Sequence, residues 1–215
     1  MMSETDDRAL IAACRAGRSD AFGALVQRYQ SRLYPTALRL TGRPEDALDL
    51  LQDAFLRAFE KLGGFHGESS FYTWLYRITV NLALSERRRK SSRIVPRVAS
   101  DAGPEPEDRS IDHEPSSSLE RAELDRAVQS ALDALAPDHR AVIVMKEFDG
   151  LRYEEIAALL DVPVGTVRSR LHRARHDLRE RLRSLSDSAD VDDRVDEAPA
   201  ESRLAAAAPP PARVV

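Results

Sequence analysis

Cysteine is almost absent from this chain: Cys14 is alone, so no intramolecular disulfide can form. It sits in "LIAACRAG", where it reads as a small apolar helix residue, and a reducing cytoplasm is the expected compartment. No apolar run approaches the ~20 residues that span a bilayer. The start, "MMSETDDRAL", is acidic where a signal peptide is basic, so neither secretion nor direct membrane insertion is expected. The five histidines, His66, His113, His139, His172 and His176, are scattered. His172 and His176 have the spacing of a metal pair but no cysteine or carboxylate set around them, so no metal is expected. A phosphate-binding glycine loop and a G-x-S-x-G nucleophile motif are both missing. The expectation is a protein that is not an enzyme, with no catalytic residue, cofactor or small-molecule substrate.

Charge is abundant: charged residues make up 32% of the 215, against 6% aromatics. Glu, Ala, Leu and Arg recur at helical spacing with almost no alternating β-branched runs, so the fold class is all-α, as two small helical domains. The charge lies in blocks. Leu84 to Arg97 holds six bases and one acid, whereas Ser100 to Arg126 holds nine acids and three arginines. With its prolines, glycines and serines, the segment 94–116 reads as a flexible acidic linker between a domain at 4–93 and a second at 117–184. Residues 185–215, acidic and then "AAAAPPPARVV", read as a disordered tail.

In the first domain, "ETDDRALIAACRAG" has acids in its first turn and Gly17 past its end. Ser19 can cap the next helix, where Phe22, Leu25, Val26, Tyr29 and Leu33 form one stripe. Pro35 interrupts it, and a kink is expected near Arg32 to Pro35. Pro44 opens a third helix in the favoured first-turn position, with Ala47, Leu51, Ala54, Ala58 and Leu62 inward. Its other side carries Asp46, Asp49, Asp53 and Glu60, with Gln52 between two of them. A run of acids alone reads as a solvated surface. Amide and carboxylate acceptors together suit an arginine-bearing partner helix.

"GFHGESSFYTWLYRITVNLALSERRRK" follows, with Phe71, Tyr72, Trp74 and Tyr76 inside six positions and Ser69 or Ser70 placed to cap their helix. Helical spacing assigns most of these rings to the core, with Trp74, Leu75, Ile78, Thr79 and Leu82. Packing leaves Ser70, Arg77, Asn81, Arg87, Arg88 and Arg89 unexplained. Rings beside Arg and Asn, leading into a basic stretch, suit single-stranded nucleic acid, whose bases stack while arginines track phosphates.

The last motif is "FDGLRYEEIAALLDVPVGTVRSRLHRARHDL". A helix ends at Asp149 and Gly150, another runs Tyr153 to Leu160, and a third from Gly165 to about Arg183. That is a helix-turn-helix with a basic second helix. Ile156, Ala157 and Leu160 point inward, as do Val167, Leu171, Ala174 and Leu178; Ala157 and Ala158 permit close approach. Arg168, Ser169, His172, Arg173 and His176 point outward. Val164 to Arg183 carries seven arginines and two acids, so an acidic chain keeps a local footprint for a nucleic-acid groove.

Residues 5–183 resemble the sigma-70 superfamily of bacterial RNA polymerase initiation factors, specifically the extracytoplasmic-function (ECF) subfamily. The most specific stretches are "DLLQDAFLRAFEKLGGFHGESSFYTWLYRITVN" and "FDGLRYEEIAALLDVPVGTVRSRLHRAR". The resemblance implies promoter-directed initiation with core RNA polymerase, by minus-35 duplex recognition and minus-10 strand separation. It implies that 4–93 is sigma domain 2 and 117–184 sigma domain 4. Asp49, Gln52 and Asp53 would dock on the β′ clamp helices, and the β flap would be a second polymerase contact. Phe65, Ser70, Phe71, Trp74, Tyr76, Arg77, Asn81, Arg87 and Arg88 would meet the minus-10 DNA. Tyr153, Glu154, Arg168, Ser169, His172, Arg173 and Arg175 would meet the minus-35 duplex. The linker would thread the polymerase's RNA exit path, and an anti-sigma factor is an expected partner. The tail is expected to fold back on the basic helix. A stand-alone helix-turn-helix regulator is the alternative; it leaves the cluster at 65–89 without a use.

Overall fold

The computed structural model describes residues 4–92 and 115–196, and among these it is helical between short turns, with no strand. The first half holds α1 (Glu4–Arg15), α2 (Asp20–Thr41), α3 (Pro44–Lys61) and α4 (Phe71–Ser92), with one 3-10 turn at Leu62–Gly64. The second holds α5 (Pro115–Asp133), α6 (Pro137–Ile143), α7 (Tyr153–Leu160) and α8 (Val164–Asp196). A π turn, Val144–Phe148, continues α6.

The apolar periodicity sets these elements. Phe22, Leu25, Tyr29 and Leu33 of α2 are buried, and so are Ala47, Leu51, Ala54 and Ala58 of α3 with Leu62 just beyond it. Pro44 opens α3 at a position whose N–H would have no helical partner. α2 ends at Gly42 in the left-handed region (φ +93°), its N–H bonded to the Leu38 carbonyl at 2.8 Å.

α2 is one continuous helix that includes Pro35 on its exposed side. Two local expectations are corrected. Ser19 precedes α2 but makes no side-chain cap bond, because its own backbone is already helical (φ −65°, ψ −25°). α8 continues to Asp196 rather than ending near Arg183, since no proline or glycine intervenes until Pro199. α5 begins at Pro115, inside the expected linker; the linker's remainder, and the part of the tail at 197–215 expected to fold back, lie outside the described residues.

Each half buries its own helices, and the two halves also pack on each other. α2 and α4 face α5, α6, α7 and the π turn, and buried residues of both halves join one apolar cluster. Leu25, Leu33, Leu75, Leu132, Ile143 and Leu171 are fully enclosed, each contributing about 1.5–3 kcal/mol through lost apolar exposure. No helix among the described residues is long and apolar enough to cross a membrane.

α1 is fastened by a buried polar group. The Asp7 carboxylate accepts from Arg28 Nη1 at 2.5 Å and from the Tyr29 hydroxyl. Burial, then the hydrogen bond to Asp7, push the Tyr29 phenol up to about 12. Asp7→Ala leaves both donors unmatched, so it should lower unfolding free energy by about 2 kcal/mol, with Tyr29→Phe costing about 1 kcal/mol. Urea denaturation followed by helical circular dichroism checks both; equal stabilities would contradict the assignment.

Candidate nucleic-acid interface

Three surfaces gather the residues singled out above. On α3, Asp49, Gln52 and Asp53 are all exposed, whereas Asp46 is half-buried. The structure adds what the sequence reading missed: Leu48 and Leu56 are more than half exposed, at 59% and 56%, and Phe59 is exposed beside them. Leu48, Gln52, Leu56 and Phe59 follow at four, four and three residues, making an apolar ridge along the acids. A merely solvated face has no need of such a ridge. α3 carries apolar residues over more than half of its circumference, so periodicity alone could not separate ridge from core.

The second surface is built around the loop into α4. Ser70 caps that helix: its Oγ accepts the Thr73 N–H at 3.1 Å and shares a hydrogen bond with Thr73 Oγ1 at 2.9 Å. The cap fixes where α4 starts and therefore where its rings point. Phe65 lies edge-on to Phe71 and tilted against Trp74, with centroids 5.9 and 5.0 Å apart. Phe65 and Trp74 are half-buried, whereas Phe71 is 2% exposed and packs in the core. Arg15 of α1, unforeseen in the sequence, braces this loop by donating to the carbonyls of Leu62 (3.0 Å) and Phe65. Between α1 and the loop lies a cavity of about 250 Å³ whose walls include Asp7, Arg8, Phe65, Glu68, Ser70 and Phe71.

Along α4, Thr73, Arg77, Asn81 and Ser85 form an exposed polar stripe at four-residue spacing. Tyr72 beside it is half-buried with the Arg32 guanidinium 3.7 Å above its ring. Burial raises its phenol against the lowering effect of Arg32. Tyr76 is set apart: it is 3% exposed and its hydroxyl donates to Asp149 of the second half at 2.6 Å. Burial and then the Asp149 charge push that phenol well above its ordinary range. Arg87 is half-buried with Asp133 at 3.7 Å, and burial lowers its guanidinium against the raising effect of that carboxylate. Arg88 lies on α4, its side chain outside the described set.

The third surface is the helix-turn-helix. Arg152 opens α7 with its N–H bonded to the Glu155 carboxylate at 2.6 Å, and Asp161 closes it in the left-handed region (φ 54°, ψ 51°). Val162 N–H returns to the Ala157 carbonyl at 3.1 Å, so the chain turns sharply into α8. Ile156, Ala157, Val167, Leu171 and Ala174 are buried between the helices, Leu160 and Leu178 are half-buried, and Ala158 is exposed, so only Ala157 supports close approach.

Arg168, Ser169, His172, Arg173 and His176 are all exposed on one side of α8, with Glu154 exposed on α7. Ser169 Oγ donates to the Thr166 carbonyl at 3.0 Å, which leaves its lone pairs outward. Tyr153 is half-buried beneath Lys146 and Arg168, at 5.1 and 5.9 Å from its ring. Arg175 is engaged: Glu147 of the π turn accepts from its Nε at 2.9 Å and its Nη2 at 2.6 Å, and that hydrogen bond raises the guanidinium. It edges an open cleft of about 540 Å³ floored by Ile143, Leu178 and Leu182. Among the described residues no group of three or more His, Cys, Asp and Glu is gathered as a metal-ligand set.

With this geometry in place, comparison with known proteins adds independent findings. Residues 25–93 match the family model for Sigma-70 region 2, and residues 125–178 match that for Sigma-70, region 4. RNA polymerase sigma-H factor of Pseudomonas aeruginosa is 35% identical over 192 residues, covering 86% of this chain and 98% of that protein. ECF RNA polymerase sigma-E factor of Escherichia coli is 36% identical over 189 residues, covering 86% and 98%. The sigma factor RpoE from Bartonella quintana, solved in complex with the anti-sigma factor NepR, has a TM-score of 0.57 at 27% identity, covering 77% of this chain and 98% of that one. CnrH, solved with the cytosolic domain of CnrY, has a TM-score of 0.55 at 31% identity, covering 83% and 98%.

The Ser70 cap has a measurable share in holding the loop. Ser70→Ala should destabilise the first half by about 1 kcal/mol, and Ser70→Asp, which restores a capping oxygen, should recover most of it. Thermal unfolding of the two variants checks this; identical melting would exclude the cap.

Proposed function

Because the chain belongs to the sigma-70 family of RNA polymerase sigma factors, in its extracytoplasmic-function branch, we propose how its surfaces divide the work of promoter-directed initiation. The observation that carries the assignment is the exposed basic side of α8 in a helix-turn-helix, in one chain with the aromatic and polar face of α4. Residues 4–93 act as sigma domain 2 and 117–184 as sigma domain 4. A stand-alone regulator would use α7 and α8 but would have no use for a region 2 half.

In this reading Asp49, Gln52 and Asp53, with the ridge of Leu48, Leu56 and Phe59, dock the β′ clamp helices of core polymerase. Carboxylates and an amide accept from arginines while the ridge supplies desolvated apolar contact. The cleft over Leu178 and Leu182, rimmed by arginines, receives the β flap. Arg168, Ser169, His172 and Arg173 enter the minus-35 major groove, with Tyr153 and Glu154 of α7 at its border; arginine near the helix start can pair with a guanine edge. Arg175, tied to Glu147, lies at the edge of that set and contributes to phosphate or cleft contacts rather than to base reading.

At the minus-10 element, Arg77 and Asn81 meet the displaced strand, with Arg87 and Arg88 following its phosphates. Phe65, Ser70 and Phe71 border the cavity that receives an unstacked base, with Trp74 packed against Phe65 beside it. Taking a base out of the stack costs a few kcal/mol, which such a cavity offsets. Phe71 supports these rings from the core. The protein does no chemistry itself; polymerase supplies it. A cytoplasmic location and an anti-sigma partner follow from the same reading, since the solved relatives RpoE and CnrH are each held by a second protein.

Run-off transcription with purified core polymerase on pooled upstream DNA tests the proposal. Discrete transcripts should appear only with this chain, and Asp49→Lys with Asp53→Lys should abolish core binding while duplex binding persists. Tight duplex binding with core ignored would overturn the reading. Arg168→Ala and Arg173→Ala should each weaken minus-35 duplex binding, by about 1–3 kcal/mol with relaxed sequence preference where a base edge is lost. Loss of a phosphate contact would instead lower the salt slope by about one. Competition binding at several salt concentrations separates the two.

A further inference from the structure

α1 lies wholly before the residues matched to Sigma-70 region 2, yet it turns one face to the loop that enters α4. Asp7, Ile11 and Arg15 follow one another at four residues and so share one side of the helix. Asp7 and Ile11 line the cavity beside that loop, and Asp7 is itself fixed to α2 through Arg28 and Tyr29. α1 is therefore moored, and can serve as a fixed support.

Arg15 carries that support across to the loop. Its Nε donates to the Leu62 carbonyl at 3.3 Å, and its Nη2 donates to the same carbonyl at 3.0 Å and to that of Phe65. One guanidinium thus ties two carbonyls that stand on either side of Gly63 and Gly64. The chain there has little stiffness of its own, because a third glycine, Gly67, follows two residues after Phe65 in the left-handed region at φ +76°. The second tied carbonyl belongs to Phe65, whose ring borders the cavity and lies against Trp74. Fixing that peptide fixes where the ring stands. Arg15 is otherwise exposed, so truncating it opens no cavity in the core.

From this we propose that Arg15 is a positioning residue for base capture. It holds Phe65 at the cavity wall, so that strand separation depends on it while core docking and duplex binding do not. The proposal rests on the minus-10 assignment made above, and in it Arg15 touches neither base nor phosphate.

The test uses the full chain bound to core polymerase, on a promoter recovered by run-off transcription and opened in advance by a non-complementary minus-10 segment. An abasic site is placed in turn at each displaced-strand position of that segment, and the dissociation rate of each complex is compared with that of the intact strand. With the unsubstituted chain one position should speed dissociation about tenfold, the loss expected when one stacked base is removed. With Arg15→Ala that penalty should fall to about twofold, because the intact strand has then lost what the abasic strand already lacks. Arg15→Lys, a single point donor, should fall between the two. Gly63→Ala with Gly64→Ala, added to Arg15→Ala, removes backbone freedom at two sites with open space around them and should restore part of the penalty. Arg18→Ala takes an exposed arginine from the turn after α1 and should leave the penalty whole. Circular dichroism and duplex binding through α8 verify folding.

A penalty undiminished by Arg15→Ala would overturn the proposal, and equally faster dissociation from intact and abasic strands would make Arg15 a phosphate contact instead. The same change in Arg18→Ala would overturn it too. An unsubstituted chain that directs transcription but shows no penalty at any position would defeat the base-capture reading on which the proposal rests.

Discussion

The Asp133 carboxylate stands where the two halves meet, and it constrains each of them. It lies against the left-handed turn at Gly42, faces Arg87 from α4 and pairs with the enclosed Arg140. Three elements far apart in sequence are thus indexed to one side chain. The end of α2, the basic end of α4 and the start of α6 cannot shift independently of it. Polar interactions of this kind add little net stability compared with apolar burial, but they select one relative orientation from the many that apolar contact alone would allow.

Orientation matters because the surfaces differ in charge. The acidic ridge of α3 and the basic side of α8 belong to a chain whose formal net charge is −4. The net value says little about either surface. What counts is that acids and arginines are segregated onto different helices, so each surface keeps its own sign. Screening over about 8–10 Å at physiological salt keeps those fields local.

Much of this was legible in the sequence because it is periodic. Stripes at three and four residues fixed α2, α3 and both helices of the helix-turn-helix, and the outward residues of α8 are where the spacing placed them. What escaped has a common cause. Tyr76 and Asp149 are 73 residues apart, and Thr36 and Asp149 113 apart, so no local pattern encodes their hydrogen bonds. Asp149 and Gly150 read as a simple helix stop, and the carboxylate's second duty was invisible. Phe71 and Tyr76 share a short aromatic run with Tyr72 and Trp74, yet only Tyr72 and Trp74 keep part of their rings near solvent. On α3 the opposite happened: Leu48, Leu56 and Phe59 look like core residues and are exposed.

The π turn at Val144–Phe148 carries one residue more per turn than an ordinary helix would. The Asp149 N–H bonds the Val144 carbonyl five residues back, so the surplus residue is absorbed within the turn and Asp149 stands one full turn beyond Val144, as it would in an α-helix one residue shorter. The contact of Asp149 with Tyr76 and Thr36 can therefore tolerate a change of chain length at this point in descent, a latitude that an ordinary α-helical turn would not give.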